Sequence, residues 1–131
     1  MTDNLLTCGQ LERKLAQKIQ AFYRGHLGHQ PSKVTCQFFN TKLAIIIEDS
    51  ITSAEQILVD EGKAVLAEKV RSNLDDAIRP ELKQLIEEIT EAEVVDIMSD
   101  ATLETGRTGI IVVLSNTPEV RNRESIPKVK R

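Results

Sequence analysis

The sequence predicts an α+β fold: a two-layer sandwich in which a four-stranded, mainly antiparallel sheet is covered on one face by helices. Three observations predict it. Apolar residues recur at helical spacing over residues 10–27 and again over 81–90. Two pairs of β-rich runs, 34–38 with 43–47 and 94–99 with 108–115, are each separated by turn-forming residues. The elements follow the order helix, hairpin, helices, hairpin, and each half runs helix, connector, strand, turn, strand, a topological hint of duplication without a sequence repeat.

Leu11, Leu15, Ile19 and Phe22, interleaved with Glu12, Arg13, Lys14, Gln17 and Lys18, make the first helix amphipathic with one buried stripe. It ends near Gly25 or Gly28, because glycine readily takes the left-handed conformation that closes a helix and Pro31 follows. Val34, Cys36 and Phe38 alternate with Thr35 and Gln37 as a half-buried strand, and Asn40-Thr41 suffices for a tight hairpin into residues 43–47. That second strand is apolar on both faces, which places it centrally, with helices on one side and a second cover, such as another subunit, on the other.

Thr52 and Glu55 form a capping box: the hydroxyl accepts from the Glu55 amide and the carboxylate reaches back to the Thr52 amide. One long helical stretch follows, with Leu58, Val65, Val70 and Leu74 as apolar positions and Gly62 as a local weak point. Pro80 is expected to end or kink it, or to open a new helix, since it lacks an N–H and clashes with the preceding turn. Leu82, Leu85, Ile86 and Ile89 define a further amphipathic helix with an acidic solvent face. Residues 94–99 and the run Ile110-Ile111-Val112-Val113-Leu114 are strands, with Thr105-Gly106 marking the turn of a hairpin that extends towards it.

The 131 residues, 40% hydrophobic and 28% charged, describe one ordinary domain that needs neither metal nor disulfide staples. We assign that domain to residues 1–118. No run approaches the ~20 apolar residues of a bilayer span, and Met1-Thr2-Asp3-Asn4 lacks the basic lead of a signal segment, so a non-membrane-spanning, cytoplasmic protein is expected. A net charge of −3 fits nucleic acid poorly. The charge is uneven: residues 119–131 hold five basic and two acidic residues against twelve and eighteen elsewhere. This basic, proline-containing end reads as a disordered, solvated tail, with phosphates, an anionic membrane surface or an acidic partner as its other uses. Cys8 and Cys36 are too few and too far apart for a disulfide framework or metal pair. Cys36 reads as a buried small hydrophobe, and Cys8 lies near a frayed terminus.

Candidate chemistry is sparse. His26 and His29, three residues apart, would share a metal only if the segment stayed helical and another ligand joined them, and the neighbouring glycines suit a helix exit better. Gly25, Gly28 and Pro31 resemble a phosphate loop but lack its lysine, its threonine and a preceding strand. Glu48, Asp49 and Asp100 would cluster if the hairpins adjoin, although carboxylates at strand ends are ordinarily solvated. Arg71 and Arg79 offer bidentate forks for an anion, with ion pairs to Glu68, Asp75 or Asp76 as the ordinary alternative. Ala44, Ile46, Ile111 and Val113 are candidates for an apolar second sheet face that a homodimer or partner would bury.

The run 25–31, the following strands, Ile51-Thr52-Ser53-Ala54-Glu55-Gln56, Val70-Arg71, Ile86-Glu87-Glu88-Ile89-Thr90, Ser99-Asp100 and Thr105-Gly106 together resemble a family of small bacterial proteins. This family is named component C of a sodium-translocating, membrane-potential-generating system, and the likeness spans residues 10–116. The resemblance implies a soluble component of a system linked to ion or inorganic-carbon transport, with no catalytic residues to carry over. Its recurring positions map to Gly28, Pro31, Thr52, Glu55, Arg71, Asp100, Thr105 and Gly106. The chain departs from the pattern at Glu91-Ala92, where a glycine commonly follows the threonine. Most of these positions have structural tasks in caps and turns, whereas Arg71 and Asp100 would be either a structural bridge or the floor of a small anion site.

The resulting expectation is a non-enzymatic, homodimeric accessory or regulatory domain without cofactor, binding a protein partner, with a membrane transport complex as one candidate. The alternative is a small-anion or nucleotide sensor using Arg71 and the Gly25–Pro31 connector, with Arg71, Asp100, Gly28 and Thr105 as the candidate ligand-binding residues. A third reading, a hydrolase or metal enzyme, needs His26, His29 and a carboxylate to converge.

Overall fold

The computed structural model describes residues 5–128. It contains α1 (Cys8–Leu27), β1 (Lys33–Phe39), β2 (Lys42–Glu48), α2 (Ser53–Asp60), α3 (Ala64–Thr90), β3 (Val94–Thr102) and β4 (Arg107–Leu114). A single 3-10 turn, Arg123–Ser125, follows. The strands form one antiparallel sheet in the order β1-β2-β4-β3, so each hairpin contributes its second strand to the centre. α1 packs on β1 and α3 on β3, covering one sheet face. The expected α+β sandwich and central β2 are therefore present, and because β4 rather than β3 neighbours β2 the sheet is not a simple meander.

Local chemistry sets the boundaries. Two capping boxes open α1 and α2: Thr7 with Gln10, which the sequence reading did not include, and Thr52 with Glu55, which it did. Gly28 closes α1 at φ 70°, a conformation that costs glycine nothing. The buried stripe of α1 is Cys8, Leu11, Leu15, Ile19 and Tyr23, with Tyr23 rather than Phe22 completing it.

The expected long helix after Thr52 divides at Gly62, which at φ 78° reverses the chain between α2 and α3. Val65, expected among the apolar contacts, lies exposed just beyond that reversal. Pro80 neither ends nor restarts α3. A continuous stripe of Ala67, Arg71, Asp75, Ile78, Leu82, Ile86 and Thr90 is buried on both sides of it, and Pro80 itself faces solvent. Packing of both halves outweighs the ~3 kcal/mol that an interior proline costs a helix. α3 ends on Glu91, which holds the left-handed cap at φ 55°, a conformation that favours glycine.

The core joins the inward residues of all four strands, including Phe38, Leu43, Ile45, Ile47, Ile110 and Val112, to the helical stripes. Within residues 119–128, Val120 and Ile126 also belong to it, correcting the expectation of a wholly solvated tail. Val120 and Ile126 are buried, the Arg121 amide donates to the Leu6 carbonyl at 2.9 Å, and Asn122 Oδ1 accepts from the Cys8 amide at 2.6 Å. The two apolar residues outweigh the solvation of the charges beside them. Residues 129–131, the rest of the basic segment, lie outside the described residues. Cys8, expected near a frayed end, is buried beneath this strap.

Candidate functional site

Two places gather the residues of interest, and they lie on opposite faces of the sheet. Among the helices, Arg71 is buried from the middle of α3 and meets Glu55, the capping residue of α2, through a two-pronged contact: Nε to Oε2 at 2.8 Å and Nη2 to Oε1 at 2.6 Å. Nη2 also donates to the Ser50 carbonyl at 2.8 Å, and Nη1 to Asp75 Oδ1 at 3.3 Å. Ser50 continues the network to Thr108 and to the Gly106 carbonyl, tying the second hairpin to the start of α2. Glu55 is the only buried side chain of α2, so this ion pair is the main attachment of that helix to α3.

Burial alone would lower the Arg71 pKa, but the hydrogen bonds and charges of Glu55 and Asp75 together hold it above its ordinary value. Asp75 is shifted up by burial, which Arg71 only partly offsets. The guanidinium is thus committed to protein partners, four of its five N–H groups being used. A concavity of about 310 Å³ beside it is lined by Glu68, Asp75, Asp76 and Asp100 against Arg71 and Arg79, and this excess of carboxylates repels an anion. Arg79 is engaged by Asp76 at 3.1 Å and Ser99 Oγ at 3.3 Å.

Of the other proposed site residues, Asp100 lines the same concavity as Arg71, whereas Gly28 and Thr105 do not. Asp100 is exposed on β3, its carboxylate accepting from the Ala101 amide, and makes no ion pair with Arg71. Gly28 borders a separate groove between α1 and α2, and Thr105 a third concavity beside the second hairpin. Glu48 and Asp49 do not cluster with Asp100, because β4 separates β2 from β3; Glu48 instead accepts from Arg107 Nε at 2.7 Å. The histidines face different partners: His26 contacts Glu81 and the Phe22 carbonyl, and His29 the Asp49 carbonyl at 2.8 Å. Among the described residues no group of three or more His, Cys, Asp or Glu is placed to hold a metal ion.

The second place is the sheet face turned away from the helices. Strand alternation puts Ala44 and Ile46 of β2 beside Ile111 and Gly109 of β4, with Val113 and Met98 adjoining them. Ile46, Ile111 and Met98 are 42%, 37% and 49% exposed, and Ala44 and Val113 are half-buried. Lys33 and Lys42 rim this apolar centre on the β1–β2 side and Asp96 and Asp100 on the β3 side, with the Glu48–Arg107 ion pair across one end of the two central strands. The four residues named from sequence thus share one face. Two more, Met98 and Gly109, were missed. Gly109 had a readable signal, as a glycine inside the strongest strand run of the chain.

The model of the family described as the Na+-translocating membrane potential-generating system (MpsC) matches residues 7–116. The chain belongs to the MpsC family. No curated protein and no solved structure shows a match. The strap that buries Val120 and Ile126 falls beyond the span matched to MpsC. The positions that resemble MpsC have a physical reading in this fold: Thr52, Glu55, Arg71 and Gly106 all sit on the network that joins α2, α3 and the second hairpin. No helix among the described residues is long and apolar enough to cross a membrane.

Proposed function

We propose that this MpsC-family chain is a non-enzymatic accessory or regulatory module, homodimeric and cytoplasmic, that works by protein contact at a system for ion or inorganic-carbon transport. The observation that carries the reading is the outer sheet face: an exposed apolar centre on two central strands, ringed by charge, where a monomer ordinarily places polar residues. The buried ion network is scaffolding that holds α2 in place. The small-anion or nucleotide sensor remains the alternative; committed Arg71 donors and acidic surroundings weigh against it.

Light scattering and a thermal-shift screen of bicarbonate, phosphate, nucleotides and divalent cations separate the two readings. A dimer with no saturable shift supports the module. A saturable shift that disappears in Arg71→Ala while the variant remains folded overturns it in favour of a sensor.

A further inference from the structure

The centre of the outer face is a checkerboard. Register pairs Ala44 with Ile111 and, two residues along, Ile46 with Gly109, so the two isoleucines lie on one diagonal and the two small residues on the other. A two-fold axis lying in the plane of such a pattern turns it into its own complement.

Gly109 supplies an independent observation. Its φ is not positive, and a Cβ built there would meet nothing closer than Ile46 Cδ1 at 3.8 Å, an ordinary contact. Neither backbone conformation nor packing inside this chain therefore requires glycine, although glycine weakens a strand interior. A small residue without an internal reason, at the centre of an exposed face, marks a place where another surface approaches closely.

Charge chooses between the two axes. An axis perpendicular to the strands lays β3 over the partner's β3 and brings the Asp96 and Asp100 edges together. An axis parallel to the strands lays β1 over the partner's β3 and β2 over its β4, so that Glu48 faces the partner's Arg107 and Lys33 and Lys42 come beside the partner's Asp100 and the partner's Asp96. The second arrangement pairs opposite charges.

We propose that the outer face closes on a second copy of this chain about a two-fold axis parallel to β2 and β4, seating Ile46 over the partner's Gly109 and Ile111 over the partner's Ala44. This geometry rests on the reading of that face as the interaction surface, and aligned sheet packing accommodates it.

The test is solution mass by light scattering over a concentration series on the full chain. The variants are Gly109→Val, Ala44→Ile, Ile111→Ala and the double exchange Ala44→Ile with Ile111→Ala, each checked by circular dichroism for an intact fold. Gly109→Val and Ala44→Ile are expected to be monomeric, Ile111→Ala to dimerise at least tenfold more weakly, and the double exchange to regain the dimer. Only the parallel axis allows that rescue, since the perpendicular one drives the introduced isoleucine against the partner's Ile46. A wild-type monomer overturns both the proposal and the underlying reading. A wild-type dimer unaffected by Gly109→Val, or not regained in the double exchange, overturns this geometry while leaving a dimer in place.

Discussion

Replacing Arg71 by methionine keeps much of the side-chain volume and removes the charge that joins α2 to α3. Glu55 would then remain fully buried beside Asp75, two carboxylates without their shared counter-charge. Removing one member of a buried pair costs about 3–5 kcal/mol, and two stranded acids place this variant at the upper end. At roughly 3–4 °C per kcal/mol for a chain of this length, Tm should fall by about 10–20 °C. The loss should also be local, because α2 buries no other side chain. Native-state hydrogen exchange followed by mass spectrometry should show residues 53–60 losing protection first, with the sheet retaining its own. The pH dependence has a definite sign. Without Arg71 nothing offsets the burial that already raises the Asp75 pKa, so the contribution of this carboxyl to stability is present below the usual carboxylate range near 4 and is lost as pH rises through the raised value. Arg71→Met should therefore recover part of its deficit between pH 7 and pH 5. A fall of less than about 1 kcal/mol, or unchanged protection of α2, would refute the assignment of this pair as the attachment of that helix.

Asp75 is already shifted up in the wild type, so its ionised form adds nothing to stability at neutral pH; Asp75→Asn should change Tm by only a few degrees, and a drop as large as that of Arg71→Met would contradict this. Glu91→Gly removes a left-handed residue from the end of α3 and should stabilise by about 0.5–1 kcal/mol, read by urea denaturation, with a loss of stability as the contrary result. Truncation after Pro118 removes the buried Val120 and Ile126 and the Asn122 cap, so it should cost at least about 2 kcal/mol, whereas a solvated tail would cost nothing. Burial, reinforced by Glu12, pushes the Cys8 and Cys36 thiols up to about 11 and 12, so neither should react with Ellman's reagent at pH 8 until urea unfolds the chain; rapid native labelling would contradict their placement.

Short-range chemistry made most of the fold legible. The Thr52–Glu55 box, the Gly28 exit and the Asn40-Thr41 turn are local events, and the sequence carries their residues side by side. What escaped depends on residues distant along the chain. Pro80 reads as a breaker because propensity counts only the lost bond, whereas the α3 stripe supplies contacts on both sides of it. Glu55 reads as a helix cap, and its second role appears only when the reversal at Gly62 brings Arg71 alongside. Val120 and Ile126 are two apolar residues among charges, too few to signal burial without the groove they enter. Of the site candidates, the apolar sheet-face set was readable from period-two alternation once the strands were identified. The anion set was not, because its grouping depends on tertiary packing: Arg71 and Asp100 share a concavity without pairing, while Gly28 and Thr105 lie on two other surfaces.

The central claim, that the outer sheet face is an interaction surface closed by a second copy, is tested most directly by light scattering on the wild type beside an Ile46→Asp, Ile111→Asp variant. The account predicts a wild-type mass approaching twice the 14.6 kDa of one chain as concentration rises, with the folded variant remaining at one chain. A wild type of one-chain mass throughout the series, or a variant that still doubles, would contradict it.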